Sequence, residues 1–314
     1  MRVAILDPRI QTPGLSLVLN TSDYYVIGHN NTYDLDKNPS KFFNLYNFNY
    51  REDLNSLTSE NYDVLCIIYA IKDFNDPSRA DVQHHLKHIM NILSINTFKK
   101  VFVFDNHDAD YDPIKMYPQL QADMWFKRNY SSMKSYPSNV VPFPFLIFGH
   151  ICPLWKVLNI NLNEIPKIDR LLWGGGLFGS GSSQYLSRSY IANSLGSYLT
   201  KVDVPNNVYL QELSKSKFSL DMNGCGDPNI RTFEILASNS LLIQQYKYLI
   251  WPFENGDAFS EETIFKTPEE CRIKVDTLYN DNALYKKCFD NQQYIKNKYF
   301  SVEWLNKYIL SFLN

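Results

Sequence analysis

Residues Phe218–Ile243 read FSLDMNGCGDPNIRTFEILASNSLLI, and this stretch decides the kind of fold. A strand runs to Met222 and stops at Asn223-Gly224-Cys225-Gly226, a turn with two positions free to take positive φ. Asp227 then offers an N-cap, and Pro228 stands at the first helical position. Ile230, Phe233 and Ala237 recur at helical spacing and are read as the core stripe. Ser240–Gln244 returns to an apolar strand. Arg231 and Glu234, three residues apart, fall on a different face of the helix. A charged pair on the first turns of a helix, behind a glycine turn at the carboxyl end of a strand, stands where open α/β sheets bind ligands. Arg231 can neutralise a diphosphate bidentately, and Glu234 can accept hydrogen bonds from ribose hydroxyls. The competing reading is an ordinary i,i+3 ion pair on a solvated helix face.

Upstream, Arg170–Trp173 reads as a strand, Gly174–Ser183 as a glycine- and serine-rich loop, and Tyr185–Tyr198 as a helix. Five glycines within Gly174–Gly181 let backbone N–H groups approach an anion, with the helix dipole behind them. Gly179, Ser180, Ser182 and Ser183 are the loop residues expected at the ligand, and Arg188 reaches back from the helix. No Lys follows the glycines, so the loop is not a P-loop, and no acidic residue stands where a dinucleotide fingerprint places one. Downstream come helices over Pro268–Tyr279, Ala283–Lys296 and Val302–Phe312, the first with Thr267 as N-cap.

The first half alternates strand and helix in the same way. Val3–Leu6, Tyr24–Gly28, Asp63–Ala70, Lys100–Phe104, Met124–Arg128 and Val140–Phe145 read as strands, and Ser78–Leu93 as an amphipathic helix. His84 and His85 lie on that helix and are read as solvated or packed residues. The fourth strand ends on FDNHDADYD, residues 104–112. There Asp105, His107, Asp108 and Asp110 offer a general base or, as an alternative, ligands for a divalent ion, with Asp7 at the end of the first strand and then His29 as competing bases. Between Phe148 and Lys167 the periodicity fades. The expected organisation is an N-terminal Rossmann-like domain over 1–160, a nucleotide-binding one over 161–300, and a terminal helix over 301–314 packing back on the first. The fold class is α/β, with two Rossmann-like domains facing across a cleft.

Composition narrows the classes. Against 33 acidic residues stand 31 basic ones, a net charge of −2, so binding to nucleic acid or anionic membrane through bulk charge is not expected. Five cysteines are widely spaced without a CxxC pair, which points away from a disulfide framework or zinc site. Aromatic residues make up 15% of the chain. No signal-peptide h-region or membrane-length apolar run is present, so a cytoplasmic location without a membrane span is expected.

The order of the Gly/Ser loop with Arg188, the turn Leu220-Asp221-Met222-Asn223-Gly224 with Arg231, and the run Leu236–Gln244 resembles nucleotide-sugar glycosyltransferases of GT-B architecture. The resemblance is nearest to the capsule-associated and KDEL-motif protein O-glucosyl/O-xylosyltransferases. It extends to exostosin-like and CgeB-like enzymes through the pattern at Arg231–Leu236, and it covers roughly residues 170–300. It implies transfer of a sugar from a UDP- or GDP-sugar to a hydroxyl of a glycan or protein-linked glycan, with no metal, no cofactor and no nucleic acid as partner. Inversion is slightly favoured. The resemblance also places Asp227 on donor-sugar hydroxyls. The departures are Gly181 where an Arg is usual, Ser189 where an Asp is usual, and six rather than seven residues between Asp227 and Glu234. The alternatives are a nucleotide- or glycan-binding module without turnover, and a nucleotide-sugar epimerase or dehydrogenase. Asp7-Pro8-Arg9 in place of glycines after the first strand speaks against the latter.

Overall fold

Strands buried on both faces build the first sheet. A computed structural model describes residues 1–7, 14–21, 23–25, 50–51, 54–69, 80–105, 111–144, 165–176, 186–224 and 228–313. Its first strands are β1 (Val3–Leu6), β2 (Tyr24–Tyr25), β3 (Tyr50–Arg51), β4 (Val64–Tyr69), β5 (Lys100–Asp105), β6 (Met124–Lys127) and β7 (Val140–Pro142). They pair in parallel in the order β3-β2-β1-β4-β5-β6-β7. Residues two apart share a side of a strand. Val3, Ile5, Val64, Cys66, Ile68, Phe102 and Phe104 therefore join one apolar cluster, and Ala4, Leu6, Leu65, Ile67 and Val103 another. Leu15 and Val18 of α1 (Gly14–Leu19) pack into the first cluster. Leu57 of α2 (Leu54–Ser59) and Val82, Leu86, Ile89 and Ile92 of α3 (Ala80–Ile95) fill the second. A short helix α4 (Pro113–Met116) is capped by Asp112.

The second sheet holds β8 (Ile168–Gly174), β9 (Leu199–Val202), β10 (Ser216–Asp221), β11 (Leu241–Gln245) and β12 (Ile264–Phe265), all parallel, in the order β12-β11-β10-β8-β9. Its helices are α5 (Arg188–Leu195), α6 (Asn206–Lys215), α7 (Ile230–Ala237), α8 (Pro268–Asn280) and α9 (Asn282–Tyr299). Leu171, Trp173, Phe218, Leu220, Leu241 and Ile243 pack with Ile191 and Leu195 of α5 and Val275 and Leu278 of α8. Strand β12 covers only the end of β11, opposite Gln244 and Gln245. Upstream of it, Gln292 from α9 supplies the missing partner. Its Oε1 accepts from Leu242 N at 2.7 Å and its Nε2 donates to the Ser240 carbonyl at 2.8 Å, so two backbone groups beside a short edge strand stay satisfied.

The chain leaves β8 toward β9 on one flank, then returns past β8 to β10 and runs on to β11 and β12. The carboxyl ends of β8 and β10 are therefore the switch point of this sheet, where their outgoing connections diverge. Two compact units result: 1–153 with 250–252 and 302–314, and 154–249 with 253–301. The helix α10 (Val302–Leu310) belongs to the first unit. Its Leu305 and Ile309 enter the cluster of Val3 and Ile5.

Several details differ from the sequence reading. Strands β3, β9 and β12 and helices α1, α2 and α6 were not foreseen. Helix α7 begins at Ile230, with Asn229 rather than Asp227 as its cap, because the extended Asn229 backbone lets its side chain accept from Arg231 N at 2.9 Å. The buried run of α7 is Thr232–Leu236, while Ile230 and Ala237 are only half-buried. The helix is enclosed by β10, β11, α6 and α9, which takes Glu234 inside as well.

Candidate functional site

Strand β8 delivers Trp173, Gly174 and Gly175 to the switch point. Helix α5 starts there too, with Ser187 as N-cap accepting from Tyr190 N at 3.2 Å. Arg188, its first residue, turns back to the end of β10. Its Nε donates to the Asn223 carbonyl at 3.0 Å, and its guanidinium carbon lies 5.6 Å from the Trp173 ring centre. From the other side comes Arg231 of α7, 4.8 Å from the same ring centre and 5.1 Å from that of Tyr209 on α6. Two guanidinium groups thus meet on one indole.

Arg231 is held by ring faces. Among the described residues its side chain makes no hydrogen bond or ion pair, so five N–H donors remain for a ligand. Cation–π contacts of this kind contribute about 0.5–2 kcal/mol each without consuming a donor. Gly175 makes room: a Cβ built on it would lie 2.6 Å from Arg231 Nη2, and its φ of +128° is one that side chains rarely adopt. Gly174 does the same for Tyr209, whose ring carbon would stand 2.3 Å from an added Cβ.

The nearby carboxylates differ in kind. Asp221, at the end of β10, accepts from Lys247 Nζ at 2.8 Å, Thr232 Oγ1 at 2.6 Å and Asn229 Nδ2 at 3.0 Å. Burial alone would push its carboxyl up, but Lys247, Thr232 and Asn229 outweigh burial and hold it below the usual carboxylate range. Asp221 is therefore neutralised in place and anchors the start of α7. Glu234 is 5% exposed and has no hydrogen-bond or ion-pair partner among the described residues. Burial pushes its carboxyl up to about 7 against the pull of Arg231, with Asp221 adding to the rise. The i,i+3 ion pair with Arg231 does not form. The Tyr209 hydroxyl and Asn223 Oδ1 are likewise buried without a partner. Unsatisfied buried polar groups are rare and costly, and two of them, with the unpartnered Glu234 carboxyl, stand with Arg231 around one switch point.

Gln245 ties the site together. Its Oε1 accepts from Asn223 N at 3.0 Å and its Nε2 donates to the Leu186 carbonyl at 3.2 Å, linking the ends of β10 and β11 to the approach to α5. Of the residues expected from sequence, Arg188, Asn223, Gly224, Arg231 and Glu234 belong to this end of the sheet. Gly179, Ser180, Ser182, Ser183 and Asp227 lie outside the described residues, as do His29, His107, Asp108 and Asp110. Trp173, Tyr209 and Gln245 were not foreseen as site residues, and Gly175 was foreseen only as one of the loop glycines. The glycines after Trp173 were the one signal that this strand end must admit a bulky neighbour.

The other carboxylates proposed as bases lie in the first unit. Asp105 accepts from Lys127 Nζ at 2.8 Å and from the Tyr111 hydroxyl at 3.2 Å, and the Asp105 and Lys127 side chains are wholly buried. That geometry joins β5 to β6 through a buried ion pair. Asp7 follows β1, is 1% exposed and accepts a short hydrogen bond from the Tyr24 hydroxyl. Among the described residues no group of three or more His, Cys, Asp or Glu side chains could hold a metal ion. No helix among them is long and apolar enough to cross a membrane.

No family model matches the chain, and no curated protein matches it in sequence. Solved structures do match it. The β-glucosyltransferase of phage T4, in complex with its UDP-glucose substrate, is 11% identical over 100% of both chains, with a TM-score of 0.50. An α-glucosyltransferase in complex with UDP and a 13-mer DNA containing a central A:G mismatch is 12% identical over 100% of this chain and 99% of that one, with a TM-score of 0.55. An α-glucosyltransferase in complex with UDP and a 13-mer DNA containing an HMU base gives 12%, the same coverage and 0.51. The likeness is one of fold: two parallel α/β sheets with helices, as in GT-B glycosyltransferases. Two of these solved structures contain DNA, which conflicts with the expectation of no nucleic-acid partner.

Proposed function

We propose that the chain is a glycosyltransferase that takes a sugar from a UDP-sugar donor, its second unit holding the nucleotide. One observation carries this reading: Arg188 and Arg231 converge on Trp173 at the switch point of the second sheet, and Arg231 keeps its donors unbonded. A diphosphate supplies paired anionic oxygens for those donors. The unpartnered Glu234 carboxyl suits a ribose diol, which donates two hydrogen bonds. Neighbours of the same fold in complex with UDP or UDP-glucose support uridine as the base and glucose as the first sugar to test. The nearness to protein O-glucosyl- and O-xylosyltransferases rests on the Gly/Ser loop and helix motifs alone. Metal-independent transfer with inversion belongs to that narrower reading.

The acceptor is a hydroxyl, on a glycan or on a modified DNA base. A binding module without turnover is the second reading, favoured by the engaged state of Asp7 and Asp105, both buried and hydrogen-bonded. Thermal denaturation with UDP, GDP, CMP and dTDP tests the nucleotide site, because a ligand of the native state raises stability as RT ln(1+[L]/Kd). UDP is expected to give the largest shift, and Arg231→Ala to abolish it with the fold retained. An unchanged shift in that variant overturns the assignment. Labelled UDP-glucose incubated with duplex DNA containing an HMU base, and separately with glycans, then distinguishes the acceptors. Binding without transfer or hydrolysis favours the module.

A further inference from the structure

Helix α3 carries His84, His85 and His88. Val82, Leu86, Ile89 and Ile92 define its buried face, and His85 is turned inward with them at 9% exposure. His84 is exposed and His88 half-buried, so these two stand on the outer face four residues apart, one turn above the other. Their ring centres are 4.5 Å apart and their planes are inclined by 70°. Among the described residues neither ring has a hydrogen bond or an ion pair.

Two stacked turns of one helix presenting imidazoles at i and i+4 form a ready bidentate chelate. A metal about 2.1 Å from one nitrogen of each ring has its two ring centres roughly 4.5–5 Å apart. The observed separation therefore needs side-chain rotation only, with no movement of the helix. Imidazole pairs suit late first-row divalent ions, with Cu²⁺ bound most tightly in the Irving–Williams order.

We propose that His84 and His88 form a surface binding site for a divalent late transition metal ion, in the first unit and separate in residues from the nucleotide site. The ion takes two protein nitrogens and fills its other positions with water. Bound to the folded helix, it clips two successive turns of α3.

The test uses the full chain without a histidine tag, in metal-free buffer at pH 7.5, titrated with Cu²⁺ by calorimetry and by electron paramagnetic resonance. One ion per chain is expected, with a spectrum showing coupling to two nitrogens. His84→Ala and His88→Ala should each lower the affinity at least tenfold, while Lys87→Ala changes it less than twofold. Both histidine positions are on the outer face, and a thermal melt of each variant without metal checks that the fold is retained. Cu²⁺ binding of equal stoichiometry and affinity in both histidine variants, or no binding by the parent chain, overturns the proposal.

Discussion

Gly175 and Arg231 are fitted to one another: the space where a Gly175 side chain would stand is filled by the Arg231 guanidinium, 2.6 Å from the position of an added Cβ. Ala at 175 must either displace Arg231 or strain a backbone at φ +128°, at a cost of about 1–2 kcal/mol. We expect Gly175→Ala to reduce the UDP-induced thermal shift by more than half while lowering the unliganded melting temperature only slightly. Gly174→Ala meets the buried Tyr209 ring instead and should cost about 1–3 kcal/mol of stability through overpacking. Paired melts with and without UDP separate the two outcomes.

Glu234 makes the second unit sensitive to pH. Its carboxyl keeps a proton up to about 7 when folded, against an ordinary value of 4.5. Between those values the folded state binds more protons than the unfolded one, so stability falls as pH rises through that window. The loss is complete above pH 7 and amounts to about 3 kcal/mol. Glu234→Gln removes it. Urea denaturation should show the variant gaining stability on the parent from pH 5 to pH 8, while its nucleotide affinity drops. A parent whose stability is flat across that range, or a variant that gains nothing at pH 8, refutes the assignment.

The pair of Asp105 and Lys127 predicts a non-additive result. Lys127→Met leaves a buried carboxylate without its cation and should destabilise by about 3–5 kcal/mol. Changing Asp105→Leu in the same chain removes the stranded charge and should recover much of that loss. A double-mutant cycle by chemical denaturation measures the difference. If the two single losses simply add, the pair is not the joint between β5 and β6 described above.

Gln292 stands in for a strand. Gln292→Leu keeps much of the volume and removes both hydrogen bonds to β11, leaving Leu242 N and the Ser240 carbonyl buried and unpaired. Each unsatisfied group costs about 1–3 kcal/mol, and amide exchange at Leu242 should accelerate well beyond that of Ile243, whose strand pairing is untouched.

Much of this architecture is legible along the chain because its strands are buried on both faces and so appear as apolar runs: Val64–Tyr69, Lys100–Asp105 and Leu241–Gln245 announce themselves. Strand β9, sequence LTKV, alternates too briefly to stand out. Helix α6, NNVYLQELSK, opens without a side-chain cap and carries a polar face. Missing α6 meant missing Tyr209, which reaches Arg231 only through the packing of α6 beside α7. The charge pattern at Arg231 and Glu234 was visible, but its meaning was not. Spacing gives the face of a helix, whereas the enclosure of α7 by four elements decides that Glu234 is buried and unpaired. Equally, nothing local to Asp105 foretells Lys127, 22 residues on, because parallel strands become neighbours only after a crossover.

Asn306 donates to the Val18 carbonyl at 2.6 Å across 288 residues of sequence, on the helix whose Leu305 and Ile309 cover Val3 and Ile5. During synthesis on the ribosome, the opening strand therefore emerges long before the segment that seals it. Until residues 302–313 leave the exit tunnel, one flank of the first sheet stays apolar and open to chaperones or to self-association. Residues 302–313 thus govern when the strand Val3–Leu6 finishes folding.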